Sequence, residues 1–208
     1  MALSTWLAFV VAGFLISVSP GAGAVACMAT GMRHGLRMGV WNIFGMQVGI
    51  ALQLAVVGAG VGAILMTSVA AFTAVKLAGA AYLVWLGWQQ FRASSAPVAI
   101  DEEGAPATRR ALFWQGFLVN GTNPKATVFL LAVMPQFIDP ARPLFLQYLI
   151  CAATLTVIDL PVMGAYTLFA SRVLKGLREP RHIRRMNRVF GSLFMLAGGV
   201  LAGFKRAA

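Results

Sequence analysis

Six stretches of the chain are long and apolar, and the polar residues between them fall into short clusters. No charge occurs in residues 1–32 or 38–75, and further apolar runs cover 77–91, 111–138, 143–171 and 189–204. At about 20 residues per crossing, this pattern predicts roughly six transmembrane helices, at about 4–31, 39–65, 71–91, 112–135, 143–170 and 189–204. Residues 32–38 read as a short basic turn. The first run lacks a basic leader and is too long for a signal-peptide core, so it is expected to stay as the first helix.

Two runs are interrupted by residues that no lipid-facing helix requires. Asn120-Gly121-Thr122-Asn123-Pro124-Lys125 sits in the middle of run 111–138, and Ser17-Val18-Ser19-Pro20-Gly21 sits in the first run. Proline removes a backbone donor and clashes with the preceding turn, so helices 1 and 4 must break at Pro20 and Pro124. Such backbone is tolerated in a bilayer only where protein buries it or a cavity hydrates it. The breaks share a frame: Gly13-Phe14-Leu15 precedes the first as Gly116-Phe117-Leu118 precedes the second.

Composition confirms the solvent. Of 208 residues, 59% are hydrophobic and 11% charged, with a mean hydropathy of +0.78, so the expected fold class is an all-α integral membrane protein forming a single membrane domain. The net charge of +11 does not indicate nucleic acid, because 12 of the 17 Lys and Arg fall in alternate loops on one side. They are Arg33, Arg37, Arg92, Arg109, Arg110, Arg172, Lys175, Arg178, Arg181, Arg184, Arg185 and Arg188. By the positive-inside rule that side is cytoplasmic, which places both termini outside. Arg181, Arg184, Arg185 and Arg188 recur at helical spacing, so segment 172–188 reads first as a topological anchor, with anionic inner-leaflet lipid as its partner.

The hydrophilic linker 93–110, holding Asp101, Glu102 and Glu103, separates two halves of three spans, residues 1–92 and 111–208. Three is odd, so halves sharing a fold must be inverted relative to each other, as in secondary transporters. Asn42, Gln47 and Gln53 in the second span read first as interhelical hydrogen-bonding groups. Lys76, near the outer end of the third, can snorkel to the interface.

Asp159 is the one acid inside a span, beside Pro161, and Lys125 is the cation at comparable depth. A carboxylate at a helix centre costs about 2.5 to 3.5 kcal/mol on insertion scales and normally has a partner. The two are expected to pair, either as a tie between the fourth and fifth helices or as a gating and coupling pair. Half-helices starting after Pro20 and Pro124 direct free amides and a positive dipole end inward, which suits a carboxylate. Ser19, Asn120 and Asn123 supply neutral hydrogen bonds, and Asp159 can take an ammonium or a proton. Together these match the two ends of an amino-acid zwitterion.

The chain resembles the LysE/RhtB family of bacterial amino-acid exporters. The matching stretches are Ser19-Pro20-Gly21 followed by Arg33-His34-Gly35, Lys76-Leu77-Ala78-Gly79-Ala80-Ala81-Tyr82-Leu83 with Leu86-Gly87, and Gly116-Phe117-Leu118 through Asn123-Pro124-Lys125 to Pro135-Gln136-Phe137. The resemblance implies an inner-membrane exporter of amino acids or their derivatives, of homoserine, threonine, leucine or lysine type, driven by proton antiport. It implies that the Pro20-Gly21 and Asn123-Pro124-Lys125 motifs lie at the transport site, to which the reading of the residues adds Ser19 and Asn120 and, as secondary candidates, Asn42, Gln47 and Lys76. Members commonly follow Pro-Gly with another Pro, whereas here Ala22 and Gly23 follow.

Other classes find less support. A divalent-metal or other small-solute exporter wants clustered His, Asp, Glu or Cys in the spans, yet His34 and His182 fall in loops and Asp159 stands alone. A membrane thiol-disulfide carrier needs cysteines that meet, and Cys27 and Cys151 lie in different helices. No cofactor, metal site or enzymatic constellation is expected.

Overall fold

At both predicted breaks the helix stops and restarts within a few residues. The computed structural model describes residues 1–67, 69–93, 108–139, 141–173 and 180–203, and over them the chain is helical with short turns and no strand. Asp101, Glu102 and Glu103 of the linker, Lys175, Arg178, and the side chains of Lys76 and His182 lie outside the described residues.

Helix α1 (Leu3–Val18) ends where Ser19 turns extended, and α2 (Ala22–Thr67) begins after Pro20 and Gly21. Within α2 two helices meet across a kink inside the expected turn at 32–38, and the turn is narrower than expected, a single non-helical residue. Gly35 adopts φ 69°, ψ 177°. Only glycine reaches that φ without strain, so one residue suffices to redirect the chain. Then comes α3 (Val69–Arg92).

The second half opens with α4 (Arg109–Gly121), capped by the Thr108 hydroxyl, which accepts from the Ala111 amide at 3.1 Å. After Thr122 and Asn123, the short α5 (Pro124–Val128) runs into a π turn, Phe129–Val133, and a 3-10 turn, Met134–Phe137. The expected fourth helix is therefore a chain of short pieces, its end tightened by Pro135. α6 (Leu144–Val173) contains Asp159 and Pro161, and α7 (Pro180–Gly203) merges the basic segment with the last apolar run. Pro180 opens α7 at the position where a missing amide costs nothing. Arg181, Arg184, Arg185 and Arg188 lie on its exposed side.

Among the described residues, two helical stretches are long and apolar enough to cross a membrane, Ala22–Gly60 and Leu144–Arg172. The exposed surface is correspondingly greasy: Leu7, Val11 and Phe14 form one stripe along α1, and Phe145, Val157 and Leu196 also face outward. Helices in lipid gain little from hydrophobic burial against each other, so close backbone approach and interhelical hydrogen bonds hold them together. α2 packs on α4 and α6, α3 on α7, and α1 on α6. At the α2/α4 crossing a Cβ on Gly45 would strike the Phe113 carbonyl and one on Gly116 the Asn42 carbonyl. Gly87 and Gly191 approach in the same reciprocal way between α3 and α7. We expect Gly116→Ala to lower stability in detergent by about 1 to 3 kcal/mol, while Gly164→Ala, with nothing within 4 Å of the added carbon, leaves it unchanged. Thermal unfolding of the two variants measures the difference.

Candidate functional site

Breaking α1 leaves carbonyls without helical partners, and side chains from the second half take them up. Ser19 still donates its amide to Leu15 O at 3.1 Å, but Pro20 has no amide to give. The Val18 carbonyl accepts from the Tyr166 hydroxyl at 2.6 Å, and the Ser19 carbonyl from the Lys125 ammonium, also at 2.6 Å. The Lys125 Nζ also lies 5.3 Å from the centroid of the Phe194 ring on α7.

The second break is built as a cap. Asn123 is extended, its Oδ1 accepts the Lys125 amide at 3.1 Å, and Pro124 occupies the first helical position. Thr122 donates its amide and hydroxyl back to Leu118 O at 2.9 and 2.7 Å. Gln53 on α2 reaches across to the Gly121 carbonyl at 2.9 Å and the Thr127 hydroxyl at 2.7 Å. The expected free amides are thus partly closed here, because Asn123 takes the first of them. At the first break the earliest intrahelical donor is Val25, to Gly21 O at 3.0 Å, so the preceding amides have no helical acceptor.

Asp159 sits midway along α6 at 7% exposure. Its Oδ1 accepts from the Ser17 hydroxyl at 2.8 Å and its Oδ2 from Gln47 Nε2 at 2.7 Å. The carboxylate therefore ties α1, α2 and α6 together. It does not pair with Lys125, contrary to expectation: the ion pair seen among the described residues is Arg142 with Asp139, at 3.1 Å in the turn before α6. The reason is local. Ser17 and Gln47 each give one oxygen of the acid a donor, while the broken end of α1 offers the ammonium the bare Ser19 carbonyl.

Between the two breaks lies a cavity of about 50 Å³, room for about three or four waters. Ser19, Gly21, Asn120, Asn123, Lys125 and Asp159 all line it. Its other walls include Ser17, Gly23, Ala24, Met46, Phe129 and Met163. Pro20 and Pro124 shape the breaks without lining the space. Gln47 holds the cavity's acid, whereas Asn42 lies apart and donates to the Leu112 carbonyl at 3.3 Å. Asn120 donates to Met46 O at 2.9 Å. The Ser19 hydroxyl is buried without a partner, because its extended backbone carries it away from the preceding turn. Gly23 after Pro20 keeps this wall thin; a Cβ on it would stand 3.7 Å from the Met46 sulfur.

Ser17, Tyr166 and Phe194 were not anticipated as site residues. Ser17 had a signal, since it occupies the place in the Gly13 frame that Asn120 occupies in the Gly116 frame. Tyr166 lies two turns beyond Asp159 on the same helix, a weaker hint, and Phe194 had none. Cys27 and Cys151 are both buried and free, in separate apolar clusters. No group of three His, Cys, Asp or Glu gathers among the described residues.

Interrupted apolar helices around a largely apolar cavity, into which one cation and one anion are set, define a helical membrane translocator. The chain belongs to the LysE type translocator family, whose model matches residues 14–203. It is 42% identical, over the full length of both chains, to a homoserine/homoserine lactone efflux protein of Salmonella typhimurium. It is 40% identical to an uncharacterized membrane protein of Vibrio cholerae, over 99% of this chain and all of the relative. A leucine efflux protein of Enterobacter sp. is 30% identical over 93% of this chain and 92% of its own. No solved structure matches.

Proposed function

We propose that the protein exports small neutral amino acids or close derivatives across the bacterial inner membrane, by proton antiport with alternating access. One observation carries the cargo class: Lys125 and Asp159 line one cavity, unpaired with each other, each held only by neutral groups. A zwitterion fits that arrangement. Its carboxylate replaces the Ser19 carbonyl as the partner of Lys125, assisted by the free Ser19 hydroxyl and the first amides of α2, and its ammonium meets Asp159. Asp159 is the one acid among the lining residues, so a cargo with a second cationic group lacks a second counter-charge. The efflux of homoserine, its lactone and leucine named for relatives fits this class.

Asp159 can hold a cargo ammonium or a proton but not both, which is the exclusion that antiport requires. Alternating access rests on a six-helix, inverted pair of repeats, residues 1–92 and 111–208 joined by the linker 93–110. Two features support that pairing. Contacts of α1 with α6 and α2 with α4 are what a two-fold between the halves produces, and so are α3 with α7 and α2 with α6. Within the Gly-Phe-Leu frames, Ser17 reaches Asp159 on α6 as Asn120 reaches Met46 on α2. The basic loops face the cytoplasm and both termini lie outside. Arg92, Arg109 and Arg188, resting 5.4, 5.6 and 5.8 Å from the rings of Trp88, Trp41 and Phe91, suit an interfacial belt beside anionic lipid.

Proteoliposomes loaded in turn with labelled homoserine, leucine, lysine or a divalent metal test the proposal. An acid exterior is expected to speed homoserine or leucine release and leave lysine and metal behind. Release of metal with no amino acid moving would refute it.

A further inference from the structure

Asp159 has two partners, and both are groups that can either donate or accept a hydrogen bond. The Ser17 hydroxyl and the Gln47 amide each present a donor to the carboxylate, at 2.8 and 2.7 Å. Gln47 is 8% exposed, and its other polar atom, Oε1, is buried with no partner. Because that oxygen bonds nothing, turning the amide over costs only the Nε2–H bond to Oδ2, and the unpartnered place passes from Oε1 to the NH2.

We propose that Gln47 is the positioning residue of the proton-coupling step, turning its amide as Asp159 changes protonation state. This rests on the antiport reading above. With the carboxylate charged, Nε2–H donates to Oδ2. When a proton from the outer solution binds Oδ2, the new O–H needs an acceptor, and Gln47 rotates by half a turn so that Oε1 takes it. One hydrogen bond is exchanged for one, and no partner of Oε1 is lost. Ser17 keeps Oδ1 bonded throughout. The tie between α2 and α6 thus survives both states, so a proton can reside at mid-membrane with the new O–H paired and the number of unpartnered Gln47 atoms unchanged, Nε2 taking the place of Oε1. The charge-assisted bond to the carboxylate is the stronger of the two, so the deprotonated, cargo-ready form grips α2 more firmly. The titratable groups that act on Asp159 from packed elements are Lys125 from α5 and the Cys27 thiol from α2. Neither reaches its oxygens within hydrogen-bonding distance, which leaves the exchange to Gln47 and Ser17.

Acid-induced infrared difference spectra of the purified protein, with glutamine carbon-13 labelled at the side-chain carbonyl, test this. The expected spectrum has a carboxylic-acid band that vanishes in Asp159→Asn, together with a shifted glutamine carbonyl band that vanishes in Gln47→Met. In proteoliposomes the pH profile of labelled homoserine efflux is expected to move to higher pH by about one unit in Gln47→Met. Ser17→Ala, which removes one donor and little volume, is expected to move it the same way. An acid band with a stationary glutamine carbonyl, or variants that lose rate with an unmoved profile, overturns the role of Gln47 while leaving antiport intact. If wild-type homoserine efflux proves indifferent to the pH gradient, the antiport reading itself fails.

Discussion

Lys125→Ala is expected to reduce homoserine efflux by about two orders of magnitude while affecting homoserine lactone far less. Hydrogen bonds to charged groups contribute about 1.5 to 3 kcal/mol, and 1.4 kcal/mol is a factor of ten. Losing the ammonium from this cavity puts the effect at the upper end, because among the described residues no other cation lines the space. The lactone carries no carboxylate, so it has nothing for Lys125 to hold. Comparing the two labelled cargos in one batch of proteoliposomes therefore separates recognition from architecture. Equal losses for acid and lactone would make Lys125 a strut whose task is to hold the Ser19 carbonyl. Lys125→Arg is not expected to rescue. A Cβ placed on Gly21 already comes within 3.3 Å of the lysine stem, so the arm runs through a channel that glycine leaves only just wide enough, and a planar guanidinium is bulkier than an ammonium.

What could be read along the chain was whatever has a local cause. Pro20 and Pro124 break helices through their own geometry, and Asn123 caps through its own side chain, so both interruptions stand where the residues demand. Of the residues expected at a shared site, Ser19, Gly21, Asn120, Asn123, Lys125 and Asp159 line the cavity while Pro20 and Pro124 do not; of the secondary candidates, Gln47 reaches it through the acid, Asn42 lies apart, and the Lys76 side chain falls outside the described residues. The partners themselves were illegible. Nothing near Gln47 in sequence announces that its amide meets an acid 112 positions away, nor that Tyr166 caps a carbonyl 148 positions away. The absent ion pair is the same lesson: opposite charges at equal depth suggest a pair, but the donors that Ser17 and Gln47 bring to Asp159 are a property of three helices meeting. Hydropathy placed the turn at 32–38 but not its economy, one glycine, and the helical spacing of Arg181, Arg184, Arg185 and Arg188 did not tell that their helix runs on unbroken into the last apolar run as α7.

Asp159→Asn is expected to leave the protein inserted and folded but to abolish uphill export. The amide is nearly the same shape as the carboxylate. Its oxygen can still accept from Ser17, and its NH2 can donate to the Gln47 oxygen that is buried without a partner, so the tie between α1, α2 and α6 persists. What disappears is the exchange of charges. An amide binds neither a proton in the working range nor an ammonium with any strength, so exchange of labelled homoserine becomes slow and flat with pH. A neutral zwitterion leaving against one entering proton moves one net charge, worth about 2.3 kcal/mol per 100 mV, which at 1.4 kcal/mol per decade sustains a gradient of roughly 40-fold. Wild-type vesicles held at that potential should approach such a ratio, and the variant should settle near equality. Because the same residue serves proton and cargo, rate and coupling are expected to fall together. A variant that kept pH-dependent exchange at the wild-type rate would remove Asp159 from the mechanism and reduce its contacts with Ser17 and Gln47 to packing.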